Sequence, residues 1–416
     1  MAGEWVEKSL GEIIEIKHGF AFKGEFFRDE PPGDVLLTPG NFAIGGGFKA
    51  EKFKYYDGPA PDEFVLREGD LLVTMTDLSK QADTLGYPAL VPPRSDGRHY
   101  LHNQRLGKVV IKDESSIALQ YVHYLMCGQQ YRHEVLASAT GTTVKHTSPG
   151  RIKQFRFLLP PLPEQRAIAH ILGTLDDKID LNRQMNDTLE AIARALFKFC
   201  FVDSTGNGLP SDWRESALGD VAENLRRGVQ ADEIESATPY IGLEHMPRRC
   251  IALSDWGQSD ELESNKFEFK RGEILFGKLR PYFHKVGVAP VDGICSTDIL
   301  VVVPKEPEWF GFVLGHVSSV EFVNHTDAGS TGTKMPRTDW QDMARYEVAL
   351  PPKPLAAAFT ERVRPLVERI IANIHESRIL AALRDTLLPK LISGELRLKD
   401  AERLVAANVP RIQRGG

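Results

Sequence analysis

Two short basic segments carry the chemistry most visible in this chain. Thr140-Gly141-Thr142 is followed by Lys145, His146, Arg151 and Lys153, and Thr331-Gly332-Thr333 is followed by Lys334 and Arg337. Hydroxyls and loop amides beside Lys and Arg suit phosphate oxygens, and a bidentate arginine can read a guanine edge. A further cluster mixes charge with aromatic rings: Lys278, Arg280, Tyr282, His284 and Lys285. For any one of these residues a solvated basic face is an equal alternative, but two clusters at matched positions are harder to explain that way.

Catalytic patterns fail, each for a chemical reason. Gly272-Glu273-Ile274-Leu275-Phe276-Gly277-Lys278 fits a phosphate loop until Leu279, where a magnesium-binding Ser or Thr is required. Gly45-Gly46-Gly47 lacks the spacing of a dinucleotide-binding turn. Glu268-Phe269-Lys270 resembles the end of a nuclease metal site, but no convincing carboxylate partner precedes it. The 12 histidines include no H-E-x-x-H pair, and His123 and His133 read as structural residues on a predicted helix. Cys127, Cys200, Cys250 and Cys295 are scattered, which predicts buried free thiols rather than a disulfide framework or zinc site. No Asn-Pro-Pro-aromatic element of an adenine methyltransferase is present. The expectation is a non-catalytic chain with no metal site and no cofactor of its own.

The elements that must position the basic segments are duplicated. Leu159-Pro160-Pro161-Leu162-Pro163 is answered by Leu350-Pro351-Pro352-Lys353-Pro354 at an offset of 191, which also relates the two Thr-Gly-Thr loops, Leu189 to Leu380, and Leu196 to Leu387. Trp5 with Leu10-Gly11-Glu12 is answered by Trp213 with Leu218-Gly219-Asp220 at an offset of 208, so the first globular part is 17 residues longer before its loop. A period this long marks a duplicated domain, not a solenoid. Each globular part reads as mixed α/β, with short β-rich runs such as Leu71–Thr74 and Ile299–Val303 among Gly- and Pro-rich turns. Each also carries one predicted amphipathic helix, capped by Ser116 in the first and opened by Pro307 in the second.

Pro163 to Phe199 is predicted to be a helix, roughly 55 Å long. Its apolar stripe is Ile168, Leu172, Leu175, Ile179, Leu189, Ile192 and Leu196. The second stripe is Phe359, Val363, Leu366, Ile370, Leu380, Leu383 and Leu387. Such seams pair as a coiled coil, and a chain running out and back makes it antiparallel. Asn182 and Asn373, again 191 apart, interrupt the seams; they either fix register inside it or sit at its edge in solvent. Pro365 is expected to kink or restart the second helix. The predicted class is α+β: two pseudo-repeated mixed domains, 1–158 and 204–350, with spacer helices 159–203 and 351–393 and a closing segment and tail 394–416 containing Arg397, Lys399, Arg403, Arg411 and Arg414. Ser204 to Pro210 reads as a flexible linker.

Composition is that of an ordinary soluble protein, 42% hydrophobic and 26% charged. Without an apolar run long enough for a membrane or a basic-then-apolar leader, the expected location is the cytoplasm. A net charge of −6 disfavours a protein that coats nucleic acid indiscriminately and leaves room for a local basic groove.

These residues resemble one family closely, the DNA-specificity subunits of type I restriction–modification enzymes. The resemblance is carried by Leu159-Pro160-Pro161-Leu162-Pro163-Glu164-Gln165-Arg166-Ala167-Ile168-Ala169, by Leu387-Leu388-Pro389-Lys390-Leu391-Ile392-Ser393-Gly394-Glu395-Leu396, and by Gly272 to Phe276 with Arg280-Pro281-Tyr282 and Cys295-Ser296-Thr297-Asp298. It departs at Lys353 to Ala357, where the Glu-Gln pair is missing. The resemblance implies two target-recognition domains, each reading half of a split duplex DNA target, held apart by the coiled coil. It implies two methyltransferase subunits and two restriction–translocase subunits as partners, with S-adenosylmethionine, ATP and Mg2+ bound there. The DNA-binding candidates are Thr142, Lys145, Arg151, Lys153, Lys278, Arg280, Tyr282, Thr333, Lys334 and Arg337. Two other classes stay open: a coiled-coil protein scaffold whose basic clusters only solvate the surface, and a nuclease built on Glu268 and Lys270.

Overall fold

Apolar runs bounded by turns build the sheets. The computed structural model describes residues 5–50, 52–77, 79, 81–206, 208–259, 264–332 and 334–408. They fall into two compact units, Met1–Asp176 with Ala381–Gly416, and Asp177–Leu380, so each long helix contributes to both.

In the first unit a four-stranded sheet runs Ile14–His18, Leu106–Ile111, Leu71–Thr74, Pro88–Leu90, and a five-stranded sheet runs Phe27–Arg28, Lys54–Tyr56, Asp34–Leu37, Tyr100–His102, Val65–Leu66. The second unit repeats the four-stranded sheet as Ala222–Leu225, Ile299–Pro304, Ile274–Gly277, Val286–Val288. Its five-stranded sheet, Arg227–Val229, Lys266–Phe269, Gly293–Cys295, Pro239–Ile241, Gly257–Gln258, keeps one parallel pair, as the first unit does. Leu71–Thr74 and Ile274–Gly277 are central and buried along their whole length, which is why both read as continuous apolar runs. The apparent phosphate loop is thus a turn at Gly272 followed by a strand whose amides serve the sheet.

His102 is buried in the five-stranded sheet, with Nε2 donating to the Leu106 carbonyl 2.9 Å away. Burial pushes its pKa down to about 4. As pH falls, the unfolded chain takes up this proton first, near 6.5. The stability held above that pH is therefore lost progressively towards pH 4, by on the order of 3 kcal/mol. His102→Gln keeps an N–H donor and does not titrate. Its urea midpoint for the first unit is expected to fall less between pH 7 and 4.5 than the parent's; parallel falls would rule out His102 as the cause.

Each domain closes with two short helices where the pattern suggested one. Leu119–Cys127 and Gln129–Ala137 break at Gly128, and Phe310–Val317 and Val320–Ala328 break at Ser318-Ser319. Ser116 is not the cap: its hydroxyl donates to Asp113, and Ala118 takes the N-cap position. The Ala118 amide instead donates to Oε1 of Gln165, at 2.9 Å. The Gln165 Nε2 donates to the carbonyls of Ser116 and Pro160, so this buried side chain pins the helix start to the first long helix. In the second unit, where the Glu-Gln pair is missing, Thr360 does the same work. Its hydroxyl accepts from the Gly311 amide at 2.9 Å and donates to the Glu308 carbonyl at 2.6 Å.

The long helices are Leu162–Phe197, continued by a π-helical turn at Lys198–Val202, and Lys353–Ile392. The second runs unbroken through Pro365. That ring lies on the exposed face, where water can serve the carbonyl that the proline leaves without a donor. In the first unit Ile168, Leu172 and Leu175 are buried, as are Leu387 and Leu391. Asp176 accepts from the Tyr124 hydroxyl and from Arg384, each at 2.7 Å, joining a short helix to both long ones.

In the second unit the pairing is antiparallel: Asn182 Nδ2 donates to Glu376 at 2.9 Å, and Asn373 Nδ2 donates to Asn186 Oδ1 at 2.8 Å. Asn182 and Asn373 are both 0% exposed, which places them inside the seam. Phe359, Ile370 and Leu380 are buried, whereas Ile179, Leu189 and Leu366 are half-buried; Val367 holds the buried place expected for Leu366. Ile192 faces out. Asn373→Leu alone strands the Asn186 amide and is expected to cost about 1–3 kcal/mol. Asn186→Leu with Asn373→Leu removes both partners and is expected to recover most of that loss, read as coupling in a double-mutant urea cycle. Additive penalties would contradict the pairing.

The tail forms a helix, Leu398–Asn408; Arg411 and Arg414 lie outside the described residues. Ser204 and Thr205 of the expected linker belong to a short 3-10 turn, and Asn207 lies outside the described residues. Of the four cysteines only Cys295 is fully buried; the other three are half-buried, with all four thiols free. No described helix is long and apolar enough to cross a membrane.

Candidate nucleic-acid interface

In each unit a glycine-centred loop folds back into a narrow hairpin. Thr140 exchanges both backbone hydrogen bonds with His146, and Thr331 exchanges both with Arg337. Gly141 and Gly332 take positive φ at the tips, and a Cβ on Gly141 would lie 1.9 Å from the Val144 carbonyl oxygen, so only glycine closes that turn. The hairpin is then fastened to the chain leaving the central strand. His146 pairs with Thr76, and Arg337 pairs with Leu279. Since His146 and Arg337 are repeat equivalents, Asp77 and Arg280 occupy matching backbone positions with opposite charge.

In the first unit Thr142 is exposed, Lys145 and Arg151 are half-buried, and Arg151 donates to the Thr140 hydroxyl at 3.2 Å. The Thr76 hydroxyl lies 3.2 Å from His146 Nδ1. Lys153 stands apart from this group, its ammonium bound to Glu15 at 2.9 Å. Burial alone would raise the Asp77 carboxyl, but the amides of Ser79 and Thr84 and the Thr84 hydroxyl hold it below the usual carboxylate value. Asp77 therefore braces its own loop.

The second unit is more cationic. The Arg280 amide donates to the Pro336 carbonyl at 2.7 Å, and the Lys278 carbonyl accepts from Thr338, which brings Lys278, Arg280, Lys334 and Arg337 to one edge. Asp298, from the Cys295-Ser296-Thr297-Asp298 segment, accepts from Arg337 Nε at 3.2 Å and lies 4.0 Å from the Lys278 ammonium. It sets both cations while neutralising part of their charge. Lys334 and Tyr282 are exposed, the latter by 48%, and Thr333 lies outside the described residues. His284 is buried, and burial lowers its pKa.

The sequence reading missed Arg248, whose guanidinium lies 3.9 Å from the centroid of the Phe283 ring. The Arg248-Arg249 doublet was the available signal, but it is more than thirty residues from the turn it joins. No group of His, Cys, Asp and Glu suited to a metal ion occurs among the described residues. Glu268 sits in a strand opposite Arg227, whose ion pair is with Glu273, and Lys270 lies 3.8 Å from Asp292.

A family model described as the type I restriction modification DNA specificity domain matches residues 2–191. The type I restriction enzyme MjaIX specificity subunit of Methanocaldococcus jannaschii is 26% identical, over 72% of this chain and 73% of its own length. The HindI specificity subunit of Haemophilus influenzae is 24% identical over 94% of this chain and 100% of its own length. The crystal structure of the type I restriction–modification S subunit from M. genitalium shares the fold, with TM-score 0.59 at 15% identity over 93% of this chain and 96% of that one. A specificity domain matched over residues 2–191, specificity subunits aligned across both repeats and a shared fold agree: residues 2–191 belong to the type I restriction modification DNA specificity domains, and the chain as a whole is similar to specificity subunits of type I restriction enzymes.

Proposed function

We propose that the chain reads a bipartite, asymmetric duplex DNA target, one half through each sheet-rich domain. Residues 1–158 and 204–350 are the two readers, 159–203 and 351–393 the spacer helices, and 394–416 the closing segment and tail. The observation that carries this reading is one backbone device built twice in different chemistry. The same hairpin is fastened beside the same strand, with Lys145 paired to Asp77 and Thr142 and Arg151 on the hairpin and its exit in the first unit, and Lys278, Lys334 and Arg337 brought beside Arg280 in the second. Phosphate-binding cations fix a protein on the duplex, whereas unlike groups at its edge favour unlike bases.

In this reading two methyltransferase subunits and two restriction–translocase subunits assemble on the chain in the cytoplasm. They bind S-adenosylmethionine, ATP and Mg2+ and do the chemistry. The chain supplies address and spacing.

The test is binding of duplex DNA by the full chain with its methyltransferase subunits over a salt series. Affinity is expected to fall steeply, because each neutralised phosphate releases counterions. Lys334→Ala is expected to weaken all sequences alike and to reduce the log–log slope by about 1. Binding that ignores salt would instead favour a protein-interaction scaffold.

A further inference from the structure

We infer that the second reader selects guanine through Arg248, held ready by Phe283. This rests on the DNA-reading role proposed above and assigns one base contact within it. The Arg248 guanidinium lies over the Phe283 ring at 3.9 Å, and among the described residues it makes no hydrogen bond or ion pair. An arginine held over a ring keeps its N–H groups available to donate, and its planar fork suits a bidentate contact to guanine O6 and N7. Tyr282 packs edge-on against the same ring at 4.7 Å and is itself exposed. Arg280 lies 5.9 Å from that ring and reaches the Lys334 carbonyl, so the stack is continuous with the basic hairpin.

The backbone under this stack is the second, independent observation. Arg249, Arg280 and His284 all have left-handed φ, at 56°, 53° and 50°. The Arg249 amide donates to the His284 carbonyl at 2.8 Å, so the three belong to one joint. Non-glycine residues in this region are strained, and such strain persists where surrounding structure holds a functional geometry. The joint is itself anchored, for His284 Nε2 lies 2.9 Å from the Ser318 carbonyl. Arg248 is thus set on a braced turn. The first reader carries Asp77 at the place of Arg280 and lacks this cationic joint.

The experiment is selection of a randomised duplex library by the full chain with its methyltransferase subunits, comparing the parent with Arg248→Lys and Phe283→Leu. Arg248→Lys keeps the charge but loses the fork. It is expected to lower the preference for guanine at one position of one half-site by roughly 5- to 150-fold, leaving the other half unchanged. Phe283→Leu is expected to weaken the same position, with thermal melting of both variants confirming that they are folded. Unaltered base preference in folded Arg248→Lys, or uniform weakening across all sequences, would overturn the guanine assignment while leaving the DNA-reading role intact. A parent that selects no motif at all would overturn both.

Discussion

Leu175→Asp is expected to destabilise the first unit by more than about 4 kcal/mol and to abolish retention of the methyltransferase partner. Leu175 is 0% exposed and shares its helix face with Ile168, Ile171 and Leu172, all buried. A carboxylate there has no designed partner and must lose its hydration or force the seam open. Val367→Asp should do the same to the second unit, since Val367 is also buried, at 3% exposed. Leu366→Asp is the informative control. Its side chain is half-buried, so a change of at most about 1 kcal/mol is expected with assembly intact. Urea unfolding of the full chain, with limited proteolysis to assign each transition and co-purification to score assembly, separates these outcomes. Leu175→Asp that melts and assembles like the parent would contradict the packing described.

The contrast between Leu366 and Val367 shows where a pattern stops being readable. A strict heptad drifts against 3.6 residues per turn, so over several turns the buried place moves by one residue. The sequence carries that drift, but only packing says where it falls. The duplication was legible because a single offset of 191 relates both loops and helices, and the structure adds that the Thr140–His146 and Thr331–Arg337 pairs obey it in their backbone hydrogen bonds. Helix continuity through Pro365 was not legible, since it depends on which face the ring occupies. Ser116 satisfied the composition rule for a cap, yet Asp113 competes for its hydroxyl and Gln165 takes over the helix start. The positions of Asn182 and Asn373 were open in sequence because buried and edge asparagines leave the same spacing. At the candidate interface, local runs such as Lys278 to Lys285 could be seen directly. The Arg248–Phe283 stack could not, because folding alone brings its partners together.

Unlike chemistry at matched positions predicts that the two proposed readers are separable. The most direct measurement of that separation is genome-wide mapping of methylated adenines in cells whose copy of this chain has residues 1–158 replaced by the matching domain of a relative. The donor should retain a tyrosine at the place of Tyr124, so that its 2.7 Å hydrogen bond to Asp176 survives. The Gln165 contacts with Ala118 and Ser116 use backbone atoms and should survive in any donor. One split motif is expected before and after exchange, with one half-site replaced by the donor's and the other unchanged. A motif changed in both halves, or unchanged in both, would contradict that expectation.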